Sequence, residues 1–386
     1  MTSIRKRNWT APDGTPKTGW QVDYVDQAGK RRRKQFARKK DADSWITQAA
    51  WEVSKGVHTA DSQSATVAAA AKLWIAKAEQ EGRERATLQQ YRQLADLHIA
   101  PLIGGERLTR LTRPMVECFR DELVRTRSKV MAGKVVRALS SILSEAQRRG
   151  LVAQNVASDV RVIRSAREKG KVEIPTKPEL KALLDHAPAT LRPMVMTAIF
   201  TGLRASELRG LRWSDIDLKA ATVTVAQRAD KFGEIGAPKS DAGHRSIPIP
   251  SALVAELREW KLACPKGDLG LAFPNSQGGV QQYGHLLRRK FFPLQIEAGV
   301  CDPALVAGKP KLDAKGRAVM VPRYGFHALR HAAASAWIKQ RIDLKRLQVW
   351  MGHSSVQITL DTYGHLLSDA SGDAALIAAA QAELLG

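Results

Sequence analysis

Six side chains in the second half of the chain have the chemical types needed to break a phosphodiester bond. The set consists of Arg204, Lys239, His327, Arg330, His353 and Tyr363. The reaction requires stabilisation of charge on a pentacovalent phosphorus, an activated nucleophile and a proton for the leaving oxygen. Arginines suit the first task because a guanidinium is always charged and binds two phosphate oxygens side by side. Histidine or a lysine of lowered pKa can transfer protons, and tyrosine can attack to give a covalent phosphotyrosine without a metal ion.

Single positions in this set also permit ordinary structural interpretations. Arg204 could form a helix ion pair with Glu207 one turn further on, and Lys239 could be one of many surface charges on a basic chain. Tyr324, which lies close to His327 in the sequence, is a rival nucleophile. The order and spacing of the whole set therefore matter more than any one residue.

Four short motifs carry these residues in a fixed order. They are Thr201–Asp217 around the first arginine, His327–His331 around the second, Leu347–His353, and Ile358–His365 around the tyrosine. They resemble the motifs of the tyrosine recombinases, the integrase family of DNA strand-exchange enzymes, with Met351 replacing a leucine in the third. Single short motifs match by chance, but four in order over about 160 residues are hard to explain that way. The resemblance is closest over 172–370, weaker over 61–165 and weakest before that.

The resemblance implies a role for each residue around the scissile phosphate. Arg204 and Arg330 would hold its non-bridging oxygens, and His353 would add a third hydrogen bond there. His327 would orient or deprotonate the phenol of Tyr363. The tyrosine would form a 3′-phosphotyrosine that conserves the energy of the broken bond, so that rejoining needs no ATP. Two sequential exchanges would pass through a Holliday junction.

Two supporting residues follow from the same resemblance. Glu207 would brace Arg204 rather than act on the substrate. Lys239, in the loop between two predicted strands, would protonate the departing 5′ oxygen, with His244 or Arg245 as nearby alternatives. No metal and no cofactor are expected, and the scattered positions of the three cysteines offer no zinc spacing.

Length and hydrophobic periodicity predict a multidomain, mainly α chain, because 386 residues exceed one ordinary domain. Residues 1–60 are expected to form a small β-sheet plus a helix. Residues 61–170 are expected to form an all-α four-helix module with a linker, and residues 171–386 a mostly helical α+β domain with a small antiparallel sheet. The second helix of the module is expected to be broken by Pro101 and the Gly104–Gly105 pair. Residues 301–322 are expected to be a polar loop. The resemblance implies that the three domains are arm-binding, core-binding and catalytic.

The net charge of +23 predicts a polyanionic partner. We expect double-stranded DNA, with separate core and arm-type sites, and no membrane, because no long apolar run is present. Two clusters of cations in residues 1–60 are the predicted DNA contacts. They consist of Arg5, Lys6, Arg7, Lys30, Arg31, Arg32, Arg33 and Lys34. Five successive cations could guard a sheet edge, but they exceed what that needs, so we expect DNA contact. The cysteine usage fits a reducing cytoplasm, and we expect a prokaryotic, nucleoid-associated enzyme.

A final apolar helix pattern is expected to take part in assembly. It is formed by Ala375, Leu376, Ala379, Leu384 and Leu385. It could pack on its own domain, but the resemblance implies docking on a neighbouring protomer in a homo-tetramer on DNA. An accessory DNA-bending or directionality factor is also expected.

Two alternative functions use the same sequence features differently. A type IB topoisomerase would apply the same chemistry as a monomer, but relaxation of supercoils needs no separate basic sheet. A DNA-binding architectural or regulatory protein on an inactive fold is opposed by the presence of competent residues at all six catalytic positions. The sequence gives neither the target sites nor the preferred direction of recombination. It does not separate a phage enzyme from one of a genomic island or conjugative element.

Overall fold

The computed structural model describes residues 3–26, 29–54, 60–61, 63–163, 173–306, 308–367 and 373–385. The chain divides into two compact units, 1–169 and 170–386. It is mainly α-helical with small antiparallel sheets, which confirms the predicted fold class. The finer division of the first unit into an arm-binding and a core-binding domain stays a prediction.

The chain begins with a three-stranded antiparallel sheet covered by one helix. Its elements are β1 (Ser3–Thr10), β2 (Pro16–Val25), β3 (Arg31–Phe36) and α1 (Lys39–Ser54), with strand order β1-β2-β3. Val22 and Tyr24 of the middle strand are buried with Ala42 of the helix, and the rings of Tyr24 and Trp45 meet edge to face at 4.9 Å. Alternation of apolar and polar residues along β2 produces this one-sided core. Residues 27 and 28, between β2 and β3 in the chain, lie outside the described part.

A helical module follows in the same unit. Its helices are α2 (Val67–Gln80), α3 (Arg85–Leu94), α4 (Ala100–Ile103), α5 (Arg113–Thr126) and α6 (Lys129–Arg148). The side chains of Thr66, Thr112 and Ser128 cap three of them. Pro101 does not break the helix as expected, because a π-helical turn over Ala95–Ile99 continues α3 into α4, but α4 ends at Ile103, directly before the expected Gly104–Gly105 break. Pro101 lies at the start of α4 just after the π-helical turn, where the altered hydrogen-bond spacing accommodates a residue without an N–H donor.

The second unit contains ten of the described helices. They are α7 (Lys177–His186), α8 (Arg192–Thr201), α9 (Ala205–Gly210), α10 (Ser251–Ala263), α11 (Tyr283–His285), α12 (Phe292–Glu297), α13 (His327–Lys339), α14 (Leu344–Met351), α15 (Val356–Leu367) and α16 (Asp373–Leu385). The first begins at a reciprocal capping box formed by Thr176 and Glu179. The helix α8 is apolar on nearly all sides and packs against α13, so the two form the centre of the unit.

Short strands complete the second unit. They are β4 (Ile216–Asp217), β5 (Thr222–Val225), β6 (Arg228–Ala229), β7 (Ile235–Gly236), β8 (Arg245–Pro248), β9 (Cys301–Pro303), β10 (Leu305–Val306), β11 (Lys309–Pro310) and β12 (Met320–Pro322). In the sheet β4-β5-β8 the last strand is at the edge, as its prolines require. The expectation of a plain loop over 301–322 was wrong, because β9 pairs with β12 and β10 with β11. Strands of two or three residues are too short to show an alternating pattern.

Two glycines end the helices that lead into the predicted site. Gly202 ends α8 with φ +60°, and Gly352 ends α14 with φ +59°. This left-handed conformation is readily adopted by glycine alone, and it turns the chain sharply while leaving the carbonyl oxygen accessible. Arg204 and His353 therefore follow directly after a helix end.

Candidate active site

Five of the six predicted catalytic side chains are linked by a continuous set of contacts in the second unit. Arg204, His327, Arg330, His353 and Tyr363 are joined through each other, through Glu207 and His331, and through the carbonyl oxygens that end α8 and α14. Lys239 is exposed in the loop between β7 and β8. The role of Lys239 as the general acid stays a prediction.

Arg330 is the most enclosed cation of the site, with 2% of the residue exposed. Its Nη1 donates to the Gly202 oxygen at 2.6 Å, and its Nη2 donates to the Met351 oxygen and, at 3.2 Å, to His353 Nε2. A guanidinium has five N–H donors, so these bonds leave two for a ligand. Burial and the nearby Arg204 lower the pKa of Arg330, but a guanidinium remains charged at neutral pH.

Arg204 lies on the solvent side of this cluster. Its Nη1 donates to Glu207 Oε1 at 2.8 Å, and its Nη2 donates to the oxygen of Gly352, 148 positions away, at 3.1 Å. The ordinary helix ion pair considered from the sequence is therefore present, but it is part of a longer tertiary connection. With 37% of its side chain exposed, Arg204 can reach an incoming anion.

Glu207 is buried and binds a second arginine that the sequence had not given this function. Arg245 Nη2 donates to Glu207 Oε2 at 2.8 Å, and the Arg245 side chain is only 1% exposed. Burial by itself would raise the pKa of Glu207, but the bonds and charges of Arg245 and Arg204 outweigh it and lower the pKa to about 2. The carboxylate therefore stays charged and holds both arginines.

Arg245 was considered as an alternative to Lys239 for protonating the leaving oxygen. Its remaining donors are directed to the Trp350 oxygen at 2.7 Å and the Gly243 oxygen at 2.9 Å. A buried guanidinium engaged with three acceptors is suited to fixing β8 against α14, and it is unsuited to proton transfer. Among the two alternatives, only His244 is exposed.

The tautomer of His353 follows from its two neighbours. Arginine can only donate, so His353 Nε2 must accept the hydrogen of Arg330, and Nδ1 must carry the proton that it shares with Thr359 Oγ1 at 2.9 Å. Burial and the charges of Arg330 and Arg204 lower the pKa of His353 to about 4. The ring is therefore neutral at pH 7.

Tyr363 is almost completely shielded, with 1% of the residue exposed. Its hydroxyl lies 2.8 Å from His331 Nδ1, and burial raises its pKa to about 12 although Arg330 and Arg204 act in the opposite direction. The rival Tyr324 donates instead to Glu179 Oε2 at 3.1 Å, near the start of α7. The structure thus connects Tyr363 with the arginine cluster and gives Tyr324 a structural partner.

His331 is a site residue that the sequence interpretation missed. It follows Arg330 directly, and with His327 it occupies positions i and i+4 of α13, so that both rings lie on one helix face. The rings meet edge to face at 4.7 Å. His327 is exposed at the edge of the cluster, yet desolvation by surrounding protein and the charges of His331 and Arg330 lower its pKa to about 4.

The predicted DNA-contacting cations of β3 point in two directions. Arg32 and Lys34 turn inward, where Arg32 pairs with Asp26 at 2.8 Å and Lys34 pairs with Asp61 at 2.9 Å. The Lys34 ammonium also lies 4.8 Å from the ring centre of Trp45. Half of the alternating strand is therefore used within the first unit.

The opposite face of the sheet keeps its cations at the surface. Arg5 and Arg33 both pair with Asp23, at 3.0 and 3.2 Å, and Arg7 donates to Gln21 at 3.1 Å. The remaining predicted contacts, Lys6, Lys30 and Arg31, are exposed. A DNA-binding role for these exposed cations stays a prediction.

Metal-binding clusters and membrane-spanning helices are both missing from the described part of the chain. Within the described ranges, no group of three or more His, Cys, Asp or Glu side chains is arranged to hold a metal ion. No helix in the described part of the chain combines the length and apolarity needed to cross a membrane.

Comparisons with known proteins agree with this fold. The family model "Phage integrase family" matches residues 175–369. A XerC-like tyrosine recombinase of Caldanaerobacter subterraneus subsp. tengcongensis is 24% identical over 370 residues, covering 89% of this chain and 90% of the relative. The putative prophage phiRv2 integrase of Mycobacterium tuberculosis is 26% identical over 354 residues, covering 88% and 87%.

Solved structures show the same fold. The Tn1549 transposon integrase in complex with a circular intermediate DNA matches with a TM-score of 0.63 at 19% identity, covering 84% of this chain and 100% of that one. A lambda integrase dimer bound to a COC′ core site matches with a TM-score of 0.59 at 18% identity, covering 94% of both chains. A lambda integrase tetramer bound to a Holliday junction matches with a TM-score of 0.57 at 19% identity, covering 90% and 95%.

Fold, motifs and relatives together define the class of protein. It is a tyrosine recombinase, an enzyme that breaks and rejoins DNA strands in site-specific recombination. The chain belongs to the phage integrase family. The resemblance inferred from the four motifs is thereby confirmed.

Proposed function

We propose that this integrase cuts double-stranded DNA by forming a 3′-phosphotyrosine at Tyr363, with Arg204 and Arg330 holding the scissile phosphate. The observation that supports this most directly is the pairing of these two arginines through the ends of α8 and α14. Arg330 is fixed by the Gly202 carbonyl of the Arg204 motif, Arg204 is fixed by the Gly352 carbonyl of the His353 motif, and each guanidinium keeps unused donors. Such prepositioned charge stabilises a phosphorane without reorganisation during the reaction.

The steps follow from the chemistry of the site residues. The Tyr363 oxygen bonds to phosphorus and passes its proton to a neighbouring histidine. The bond to the 5′ oxygen breaks, and that oxygen takes a proton from Lys239. His353 lies against Arg330, and it can donate a hydrogen bond to the phosphate once the arginine turns toward the DNA and Nε2 carries the hydrogen, with Nδ1 then accepting from the Thr359 hydroxyl. Attack by a 5′ hydroxyl on the phosphotyrosine reverses the sequence and rejoins a strand. Two rounds of exchange on paired sites pass through a Holliday junction.

The proposal extends to partners and assembly. The lambda integrase relative is described as a tetramer on a Holliday junction, and in the present chain α16 exposes Ile377, Leu384 and Leu385. The side chains of Ala375, Leu376 and Ala379 lie outside the described part. We assign α16 to docking on a neighbouring protomer in a homo-tetramer, with an accessory bending or directionality factor. The enzyme would act in a prokaryotic cytoplasm on the nucleoid, integrating and excising a phage or another mobile element.

A suicide DNA substrate tests the proposal, because its nick traps the covalent protein–DNA adduct. Tyr363→Phe should abolish the adduct while DNA binding in a gel-shift assay remains within about twofold, since one hydroxyl is lost from a buried ring. Tyr324→Phe is the matched control and should still form the adduct. Adducts that persist in Tyr363→Phe and vanish in Tyr324→Phe would assign the nucleophile to Tyr324 instead.

A topoisomerase remains the alternative to be distinguished. It would relax supercoiled plasmids lacking any specific site and yield no recombinant product. The integrase is expected to produce recombinants only when a pair of matching sites is present.

A further inference from the structure

The face of α13 that carries His327 also presents a second histidine, His331, to the nucleophile. His331 Nδ1 lies 2.8 Å from the Tyr363 hydroxyl oxygen, and the two rings meet at 64° with centroids 5.6 Å apart. Arg330 and His327 flank His331 on the same helix, and Tyr363 faces it from α15. No role for His331 follows from the motifs alone.

Burial determines the direction of this hydrogen bond. In the part of the chain that the structure describes, His331 Nδ1 is the hydrogen-bond partner of the Tyr363 hydroxyl. A buried hydroxyl hydrogen without an acceptor is costly. The phenol therefore donates to Nδ1, and the imidazole hydrogen is on Nε2.

The protonation states allow a transfer along this bond. Burial and the charge of Arg330 lower the pKa of His331, so that the ring is neutral at pH 7 and Nδ1 has a lone pair available. The phenol, whose pKa is raised to about 12, gives little phenolate without a base. A DNA phosphate bound by Arg330 would offset the positive charge that now disfavours an imidazolium at this position.

The other two histidines of the site, His353 and His327, are less suitable as acceptors of the Tyr363 proton. His353 has both ring nitrogens engaged, with Arg330 and with Thr359. His327 contacts the ring of His331 and is exposed at the edge of the cluster, where a DNA phosphate would approach Arg204.

We propose that His331 is the general base that accepts the Tyr363 proton during strand cleavage, a role first assigned to His327. As the phenol oxygen bonds to phosphorus, its proton moves to His331 Nδ1. The bond from phosphorus to the 5′ oxygen breaks, and its electron pair leaves with that oxygen, which is protonated by Lys239. On rejoining, His331 returns its proton to the departing phenolate. The inference rests on the proposed function of Tyr363.

Single-turnover cleavage of a suicide substrate by the full chain tests the proposal. His331→Ala removes the base, whereas His331→Asn places an amide oxygen near the position of Nδ1 that can accept the phenol hydrogen bond but not the proton. Both variants should slow adduct formation by about 10²- to 10⁴-fold at pH 7, with rates that rise steeply as pH increases. His327→Ala should slow cleavage without changing the pH dependence of the wild type.

A substrate with a bridging 5′ sulfur separates the base from the acid, because a thiolate leaves without protonation. Lys239→Ala should be slow on the ordinary substrate and recover on the sulfur substrate. The two His331 variants should remain slow on both. Recovery of His331→Ala on the sulfur substrate would place His331 on the leaving-group side and overturn the proposal.

Three further results would contradict a role as base. Cleavage by His331→Ala within about threefold of the wild type would remove any chemical role, because a general base contributes at least tenfold more. Faster cleavage would mean that His331 only holds Tyr363 away from DNA. A wild-type rate and pH profile in His331→Asn would mean that positioning suffices. Adducts in Tyr363→Phe would instead refute the proposed nucleophile, so the two failures are distinguishable.

Discussion

Arg330 donates a 2.6 Å hydrogen bond to the carbonyl oxygen of Gly202, two residues before Arg204. A second contact of the same kind runs from Arg204 to Gly352, the residue before His353. Each helix-ending glycine thus fixes an arginine that belongs to a different motif. The spacing of the two phosphate-binding groups is set by the backbone rather than by flexible side chains, which is what preorganisation of the site requires.

Gly352 cannot be replaced without disturbing this arrangement. A Cβ there would lie 2.9 Å from Arg245 Nη1 and 3.1 Å from the Ala242 oxygen, in addition to the strain of φ +59°. Gly352→Ala should lower the free energy of unfolding by more than the ~1–2 kcal/mol expected for a left-handed residue alone, and adduct formation should fall with it. The control is Gly299→Ala, at φ +70° with no heavy atom within 4 Å of the added carbon. Equal losses of Tm in the two variants would contradict the crowding.

Glu207 should be essential to the fold as well as to the site. Glu207→Gln leaves Arg245 buried beside an uncharged amide, and breaking a buried ion pair costs roughly 3–5 kcal/mol. Urea unfolding should show this loss, and strand cleavage should fall further because Arg204 loses its brace. The surface pair of Asp313 and Arg317 provides the comparison, because Asp313→Asn should leave the urea midpoint nearly unchanged. An unchanged urea midpoint in Glu207→Gln would refute this account of the carboxylate.

His353 should make the protein sensitive to mild acid. Its folded pKa of about 4 lies below the unfolded value of 6.5, so the unfolded chain binds more protons between those values. Stability is therefore retained above about pH 6.5 and lost as the pH falls toward 4, by up to about 3 kcal/mol. His353→Gln removes this titration and should lose less stability between pH 7.5 and pH 5 in urea unfolding. The contribution of His327 is present in both proteins, and identical pH dependences would contradict the prediction.

Because side chains alternate between the two faces of β3, the predicted DNA contact can be tested separately from internal packing by two variants that each remove one positive charge. Arg31→Ala removes an exposed cation and should reduce the slope of log affinity against log salt by about 0.9, the value for one phosphate contact. Lys34→Ala removes the same charge from the contacts with Asp61 and Trp45, so it should lower thermal stability and leave the slope unchanged. Fluorescence anisotropy with arm-site DNA over a salt series measures the slope for each variant, and thermal unfolding measures the stability. A reduced slope in Lys34→Ala and none in Arg31→Ala would invert the assignment of the two faces.

The sequence predicted most of what is local in this protein and less of what is tertiary. The fold class and the confirmed family followed from periodicity and four motifs, and Thr176 and Glu179 form a capping box at the spacing that such boxes require. Arg245 could be considered only as a neighbour of Lys239, because nothing in the sequence shows that β8 carries it under α14 to Glu207. His331 had a detectable signal, since i+4 spacing places it on the same helix face as His327. Its bond to Tyr363 depends on how α13 meets α15, which no motif specifies.

The central claim is that Tyr363 attacks a phosphate held by Arg204 and Arg330. The most direct measurement is mass spectrometry of the peptide that remains linked to DNA after cleavage of a suicide substrate and digestion of the trapped adduct. The account predicts a nucleotide on the oxygen of Tyr363, absent from Tyr363→Phe and strongly reduced in Arg204→Ala and Arg330→Ala. A nucleotide attached to Tyr324, or to any residue other than Tyr363, would contradict it.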